Sequence, residues 1–486
     1  MNVSPHKARF TKIVATLGPA WSTPDQMHAL LDGGVNVVRI NASHGTPAIR
    51  EQWISGLQQV LAARKDAAAI LLDVQGPRIR VGDLAEPITL TPGQDVVFAP
   101  EAVARPGEIP TTYDDLAVDV KVGARVLLDD GLLSVEVTGI SGDRVRGVVR
   151  YGGLLKSHKG MNLPGIQVSA PSLTEKDRED IAMAARLGVD YVALSFVRRR
   201  EDMEELRKLL PRTVKTVAKI EKDTALLNLE AIIDASDAIM VARGDLGVEL
   251  PFEEVPLVQK RIIREANLRG KPVITATQML ESMVHAPRPT RAEASDVANA
   301  ILDGTDAVML SAETAVGDFP LEAVQAMDRI AREMEANRRG RSPAFDLAVG
   351  RRGPGAEAAA GKPVEPVRQE DAIGVATVAA AELLKAPLVV CFTVSGFTAR
   401  KVAAYRPAQP IFALTTDQGT YRQLCLVWGV VTGLADHLPS YDEMLSVARH
   451  QILERHLAAS GDKLVVTAGV PFDVPGTTNL LKIEAV

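Results

Sequence analysis

TVKTVAKIEKDTALLNLEAIIDASDAIMVARGD, Thr213 to Asp245, reads as strand, helix, strand. Thr213 to Ile220 is a β-branched, buried-type run, Thr224 to Ala235 has amphipathic helical spacing, and Asp237 to Ala242 is the next apolar run. The two strands are one β/α unit apart and each ends in charge, Lys219 and Glu221 after the first, Asp245 after the second. Parallel strands joined by right-handed helical crossovers bring their C-terminal ends to one face, so both carboxylates and the ammonium are expected to converge there. Two hard oxygen ligands beside a mobile cation suit a Mg²⁺ site that handles phosphate.

The same unit recurs outward in both directions. Short apolar runs at Lys12 to Thr16, Asn36 to Asn41, Ala69 to Val74, Tyr191 to Phe196, Lys215 to Ile220, Ala238 to Ala242, Pro272 to Thr277 and Ala307 to Ser311 alternate with helical patterns. Eight such strands predict an α/β fold, a (β/α)₈ TIM barrel. The helical period disappears between Val74 and Leu173, where strands are broken by DDG at Asp129 to Gly131 and SGD at Ser141 to Asp143, so an all-β domain is inserted after the third barrel strand. Phe319 to Asn337 closes the barrel, a segment rich in Arg, Gly, Pro and Ala follows, and from Asp371 helices and strands alternate again in a C-terminal open α/β domain. The expected division is a barrel from 1–73 and 171–337, an inserted β-barrel domain from 74–170, a linker at 338–370 and a C-terminal domain at 371–486.

Composition excludes several classes. The chain has 486 residues, too many for one core, with an ordinary 24% charged and 46% hydrophobic content. A net charge of -6 gives no basic footprint for nucleic acid. The longest weakly charged stretch, Ala372 to Phe392, contains Glu382, Lys385 and Pro387 and is no membrane span. MNVSPHKARF carries no apolar signal core, which makes a cytoplasmic location the default expectation. Cys391 and Cys425 lack any metal or redox spacing and read as buried thiols.

Polar residues stand at the end of strand after strand: Arg39, Asn41, Ser43 and His44; Asp73; Lys219 and Glu221; Arg243 and Asp245; Thr277 and Gln278; Ser311 and Glu313. Each alone could be a cap, a turn or a solvated loop residue. Six such ends share the one rim at which barrels hold their catalytic groups.

TKIVATLGPA from Thr11, RINASHG from Arg39, VARGDLGVELP from Val241 and the long run KPVITATQMLESMVHAPRPTRAEASDVANAILDGTDAVMLSAETAVGDFPLEAV from Lys271 closely resemble pyruvate kinase, over essentially the whole chain. The resemblance implies transfer of the phosphoryl group of phosphoenolpyruvate to ADP, giving ATP and an enolpyruvate that takes a proton to become pyruvate, the last step of glycolysis. It implies Mg²⁺ or Mn²⁺ on Glu221 and Asp245, with Lys219 and Arg39 on the transferring phosphate. The backbone of Ala242, Arg243, Gly244 and Asp245 would receive the substrate carboxylate, and Thr277 would support protonation, with Ser311 and Glu313 in the relay. Nucleotide contacts would come from Asn41, His44, Arg80 and Lys159, the last reaching in from the inserted domain, which would act as a lid. In the C-terminal domain Thr393, Ser395, Gly396, Phe397 and Thr398 match a loop that binds a phosphorylated effector in the family, and a homotetramer is expected.

One run departs from the common family pattern. Many members bind K⁺ at positions matching Asn41, Ser43, Asp73 and the carbonyl of Val74, and carry D-T-K-G-P-E-I-R-T after the third strand. Here the run is Asp73-Val-Gln-Gly-Pro-Arg78-Ile-Arg80-Val81, similar to that of the K⁺-independent members. A guanidinium in place of a carboxylate changes the local charge by about two units, and Arg78 is expected to stand in for K⁺ by holding Asn41 and Asp73. Two rival readings remain at this stage. One is a Mg²⁺-dependent lyase or aldolase barrel, which would lack the lid and the nucleotide contacts. The other is a non-catalytic metabolite sensor, against which intact Lys219, Glu221, Asp245 and Thr277 argue.

Overall fold

The structure is a computed structural model and describes residues 9–337, 368–436, 440–471 and 478–486. Residues 338–367, most of the expected linker, lie outside the described residues. Strands Lys12–Thr16, Val37–Asn41, Ala69–Val74, Tyr191–Leu194, Lys215–Ile220, Ala238–Ala242, Val273–Ala276 and Ala307–Leu310 close into a parallel barrel. They are buried along nearly their whole length because the barrel interior covers one face and the helical ring the other. The interior is filled by Val14, Val37, Leu71, Val217, Met240, Ile274 and Met309, and is plugged from below by Cys425 and Leu426 of the C-terminal domain. Register then fixes the rim: Asp73 stands level with Asn41 on one side and Ala193 on the other.

The inserted β-domain has a six-stranded sheet, built around Arg125–Leu128, Leu133–Ser141 and Arg144–Tyr151, and a two-stranded one pairing Ile88–Leu90 with Gly153–Leu155. Its first expected turn is made by three successive residues in left-handed backbone, Asp129, Asp130 and Gly131 (φ 52°, 53° and 87°), the second by Gly142 (φ 60°). The C-terminal sheet has the order Val430–Leu434, Ile411–Thr415, Val389–Phe392, Lys463–Ala468, Leu480–Ala485, parallel except for the last strand.

Sequence periodicity misses three details. The helix expected over Thr224 to Ala235 is two helices, Asp223–Leu227 and Leu229–Ala235, broken at Asn228, whose side-chain amide donates to the Arg198 carbonyl (3.0 Å). Val430–Leu434 contains Thr and Gly, and Leu480–Ala485 is a half-exposed edge strand, so neither shows the apolar run of the other strands. Among the described residues no helix is long and apolar enough to cross a membrane.

Candidate active site

At the end of the third strand Asp73 is 1% exposed and receives two cations. Its Oδ2 accepts from Arg39 Nε (2.8 Å) and lies 2.7 Å from the second guanidinium nitrogen, and its Oδ1 lies 3.2 Å from Lys219 Nζ. Lys219 also pairs with Glu221 Oε1 (2.9 Å) and donates to Ser195 Oγ (2.7 Å), which in turn donates to the Val74 carbonyl (2.8 Å). Strands three, four and five thus aim one ammonium at a fixed point, and Arg39 is steadied from the first strand by Thr16 Oγ1 (3.0 Å).

The charges follow from this wiring. Burial alone would raise Asp73, but Lys219 and Arg39 outweigh it and hold its carboxyl below the usual range. Burial favours the neutral amine at Lys219, yet Asp73 and Glu221 prevail and push it upward. Glu221 also moves up: burial dominates, Lys219 pulls against it and the nearby Asp245 adds repulsion. The two partners shift in the same sense because Lys219 is shared with Asp73, while Glu221 faces a second carboxylate.

Beyond the sixth strand, Arg243–Glu249 is a single short helix carrying Asp245. The Gly244 amide donates to Thr277 Oγ1 (2.8 Å), and Thr277 and Gln278 hold left-handed backbone (φ 66° and 53°) at the end of the seventh strand. Such conformations cost energy for non-glycine residues and persist where the surroundings enforce them. Arg243 is the enforcing group, donating to the Thr277 carbonyl (2.8 Å) and pairing with Asp296 (2.6 Å), so its side chain serves the loop and only its backbone faces the rim.

Ser311 and Glu313 part company. Glu313 is 1% exposed and its two oxygens accept from the amides of Leu280 (3.1 Å) and Ser311 (2.7 Å). Burial raises its carboxyl, and its two oxygens brace the loops after the seventh and eighth strands.

At the end of the second strand, Asn41 accepts from the Ser43 amide (3.0 Å) and its Nδ2 meets His44 Nδ1 (3.0 Å). Arg80 donates to the His158 carbonyl (2.9 Å), and Lys159 pairs with Asp129 (2.7 Å). Arg78 does not reach Asn41 or Asp73 as expected; it pairs with Asp130 of the inserted domain (3.2 Å). The reason is saturation: both Asp73 oxygens already hold cations, while Asp130 on a hairpin turn is exposed. The charge of Arg78 still reaches that loop, since burial, then Arg39, Arg80 and Arg78 together lower His44.

In the C-terminal loop Gly396 (φ 74°) heads the helix Phe397–Ala404, which has no side-chain cap. Thr398 is 2% exposed and its hydroxyl meets that of Thr478 (2.8 Å), while Arg400 donates to the Ser395 carbonyl (3.1 Å).

Sequence reasoning missed Ser195, which orients Lys219, and the pair Lys222 and Glu249, buried beside the two rim carboxylates. Lys222 directly follows Glu221, the only hint the sequence offered. Among the described residues no three His, Cys, Asp or Glu side chains gather as a closed metal cage. Two carboxylates beside an open rim fit a divalent ion that keeps water and substrate oxygens as its other ligands, as Mg²⁺ does.

A parallel barrel with paired cations and carboxylates on its C-terminal rim, under a β-domain, defines an enzyme that transfers charged groups. Residues 8–324 match the family described as pyruvate kinase, barrel domain, and residues 371–484 match pyruvate kinase, alpha/beta domain. Pyruvate kinase of Geobacillus stearothermophilus is 45% identical, covering 98% of this chain and 80% of the relative. That of Clostridium acetobutylicum is 42% identical over 98% of this chain and 99% of the relative. The crystal structure of a pyruvate kinase from Cryptosporidium parvum superposes with a TM-score of 0.90 at 35% identity, covering 98% of this chain and 96% of that one. The chain belongs to the pyruvate kinase family and is a phosphotransferase acting on phosphoenolpyruvate and ADP.

Proposed function

We propose that the rim residues divide the transfer among themselves as follows. Arg39 and Lys219 neutralise the oxygens of the phosphoryl group as its bond to the enol oxygen breaks and one to the ADP β-phosphate forms. Glu221 and Asp245 hold Mg²⁺, or Mn²⁺ in its place, which when bound supplies further neutralisation of phosphate oxygens. The backbone from Ala242 to Asp245 orients the substrate carboxylate, and Thr277 with Ser311 delivers a proton through water to the enolate carbon. Asn41, His44, Arg80 and Lys159 hold the nucleotide while the β-domain covers the rim and excludes water. The observation that carries this reading is Lys219, fixed within 3.2 Å of Asp73 and Glu221 on the rim that also carries Arg39. Glu221→Gln and Asp245→Asn should each reduce kcat by on the order of 10³ without unfolding the protein, in an assay of ADP-dependent pyruvate formation. Near-normal turnover in either variant would sink the metal assignment.

K⁺ is not required in this reading. Support comes from the guanidinium of Arg78, which stands where K⁺-dependent members carry a carboxylate, although its ion pair is with Asp130. The loop from Thr393 to Thr398 binds a phosphorylated effector, supported by the uncapped helix start behind Gly396, with Ser395 rather than the buried Thr398 as the accessible hydroxyl. A panel of sugar phosphates and nucleotides in the same assay tests it. Assembly as a homotetramer is supported by the edge strand Leu480–Ala485 and the exposed Leu383, and light scattering tests it. A cytoplasmic location completes the reading.

A further inference from the structure

Glu249 is 4% exposed, with its side chain fully buried, at the end of the helix that begins with Arg243. Its Oε1 pairs with the Lys222 ammonium and accepts from Asn162 Nδ2 (2.9 Å); its Oε2 has no hydrogen-bond partner among the described residues. A buried carboxylate with one oxygen unserved is costly, and it depends on the donors it has.

Each of the three residues adjoins a group already placed in the reaction. Lys222 follows Glu221 directly. Glu249 stands one helical turn beyond Asp245 in the same seven-residue helix, so the two share a face. Asn162 lies in the strand Met161–Asn162, three positions past Lys159, and that strand pairs with Arg125–Leu128 inside the β-domain. One carboxylate oxygen therefore joins the segment carrying one metal ligand, the helix carrying the other, and the strand carrying the nucleotide lysine. The neighbouring Gly165 amide donates to Asp223 Oδ2 (2.8 Å), so the same stretch of the β-domain is tied once to the Glu249 helix and once to the loop after Glu221.

We propose that Glu249 is a positioning residue, a clasp through which the position of the β-domain and the order of the divalent-metal site are coupled. The proposal rests on the reading of Glu221 and Asp245 as metal ligands. When the β-domain swings away, Asn162 leaves, and Glu249 keeps only Lys222 as donor. Lys222 then shifts to serve the whole carboxylate and carries Glu221 with it. When Asn162 returns, Lys222 and the Glu249 helix settle into the arrangement that holds the two rim carboxylates at metal distance. By reciprocity, a metal on Glu221 and Asp245 favours the closed β-domain.

The test uses Mn²⁺ titration of the substrate-free protein by proton relaxation, together with amide exchange at Met161 to Leu163. Asn162→Ala should weaken Mn²⁺ binding about tenfold and Asn162→Asp more, because it sets a second carboxylate against Glu249. Asn162→Asp combined with Glu249→Gln exchanges donor and acceptor while keeping one negative charge beside Lys222, and should return to within about threefold of the unmodified protein. Mn²⁺ should slow exchange at Met161 to Leu163 in the unmodified protein and not in Asn162→Asp. In turnover, KM for Mg²⁺ and ADP should rise together while kcat at saturation stays within about threefold, a split that simple loss of stability would not produce. Folded Asn162→Ala and Asn162→Asp proteins that bind Mn²⁺ normally, or a double variant that fails to recover, overturn the clasp. If Glu221→Gln also binds Mn²⁺ normally, the metal reading itself falls; if Glu221→Gln loses Mn²⁺ while the Asn162 variants keep it, only the clasp falls.

Discussion

Replacing Lys219 by Met removes one charge from a site where it serves two carboxylates. Its ammonium lies 2.9 Å from Glu221 and 3.2 Å from Asp73. At an effective dielectric constant near 20, each such pair of unit charges interacts by about 5 kcal/mol before desolvation is subtracted. The two carboxylates do not suffer equally. Asp73 keeps Arg39 at 2.7 Å, whereas Glu221 keeps only the Phe196 amide (2.8 Å) and still faces Asp245. Glu221, already displaced upward, relieves the imbalance by holding a proton, so the stability cost should fall near the lower end of the roughly 3–5 kcal/mol seen when one partner of a buried pair is removed. The catalytic cost is separate. Losing a preorganised cation at the transferring phosphoryl group removes about 3–4 kcal/mol of transition-state stabilisation, on the order of 10²–10³ in kcat. Because phosphoenolpyruvate retains Arg39 and the backbone contacts, its KM should move much less than kcat. Initial rates of pyruvate formation at saturating substrates across a Mg²⁺ series, with thermal unfolding of the same sample, check both terms. A folded Lys219→Met enzyme whose kcat stays within about tenfold of the unmodified one, which is about 1.4 kcal/mol of barrier, would refute the role; a collapse of substrate binding with kcat unchanged would make Lys219 a ground-state anchor.

The unmodified enzyme should reach full activity with Mg²⁺ alone in K⁺-free buffer, and Arg78→Glu should be weak until K⁺ is added; a wild-type rate that rises more than about tenfold with K⁺ contradicts this. Asp190, buried beneath the barrel against Arg422 (2.8 Å), is pushed by burial up to about 6, against the pull of Arg422 and the Ile70 amide. A carboxyl raised in the folded state contributes stability below its unfolded value near 3.9 that is lost as pH rises through the folded value. Relative to the unmodified protein, Asp190→Asn should therefore gain up to about 3 kcal/mol between pH 4 and pH 7, read from denaturant midpoints at each pH; a difference that does not change with pH would show that Asp190 ionises normally.

The barrel was legible because its strands are buried on both faces and so appear as apolar runs alternating with helical patterns. What the sequence could not show is pairing across distance. Asp73 read as part of a monovalent-ion pocket, yet in the structure it is the shared counter-ion of Arg39 and Lys219. Nothing in the chain around Glu313 shows that it braces two loops, which is visible only in its burial and its amide partners. Arg78 stood out in the sequence for its charge, but its partner Asp130 lies 52 positions on, across a hairpin whose left-handed turn presents it. Lys222 and Glu249 are each unremarkable in sequence, and only the approach of strand Met161–Asn162 gives them a meaning.

The charge balance of the rim explains why the cations are locked inward. Arg39 and Lys219 oppose Asp73, Glu221 and Asp245, so the site without metal carries one negative charge in excess, and repulsion from Asp245 adds to the burial that displaces Glu221 upward. A phosphorylated substrate entering such a site would meet repulsion. A divalent ion turns the balance to one positive charge, which favours a phosphate group and favours it more as negative charge spreads over the equatorial oxygens. If Arg39 and Lys219 were free in solvent they could reach the phosphate as well, but each would first have to be ordered and desolvated. Held by Asp73 at 2.7 to 3.2 Å, they are already ordered and already partly desolvated, so the reorganisation they would otherwise need during transfer has been met by folding. With Arg39 and Lys219 in the roles proposed for them, Asp73 would therefore lower the attraction of the site for the ground state and preserve the geometry that stabilises the transition state, which is the division of effects that raises kcat.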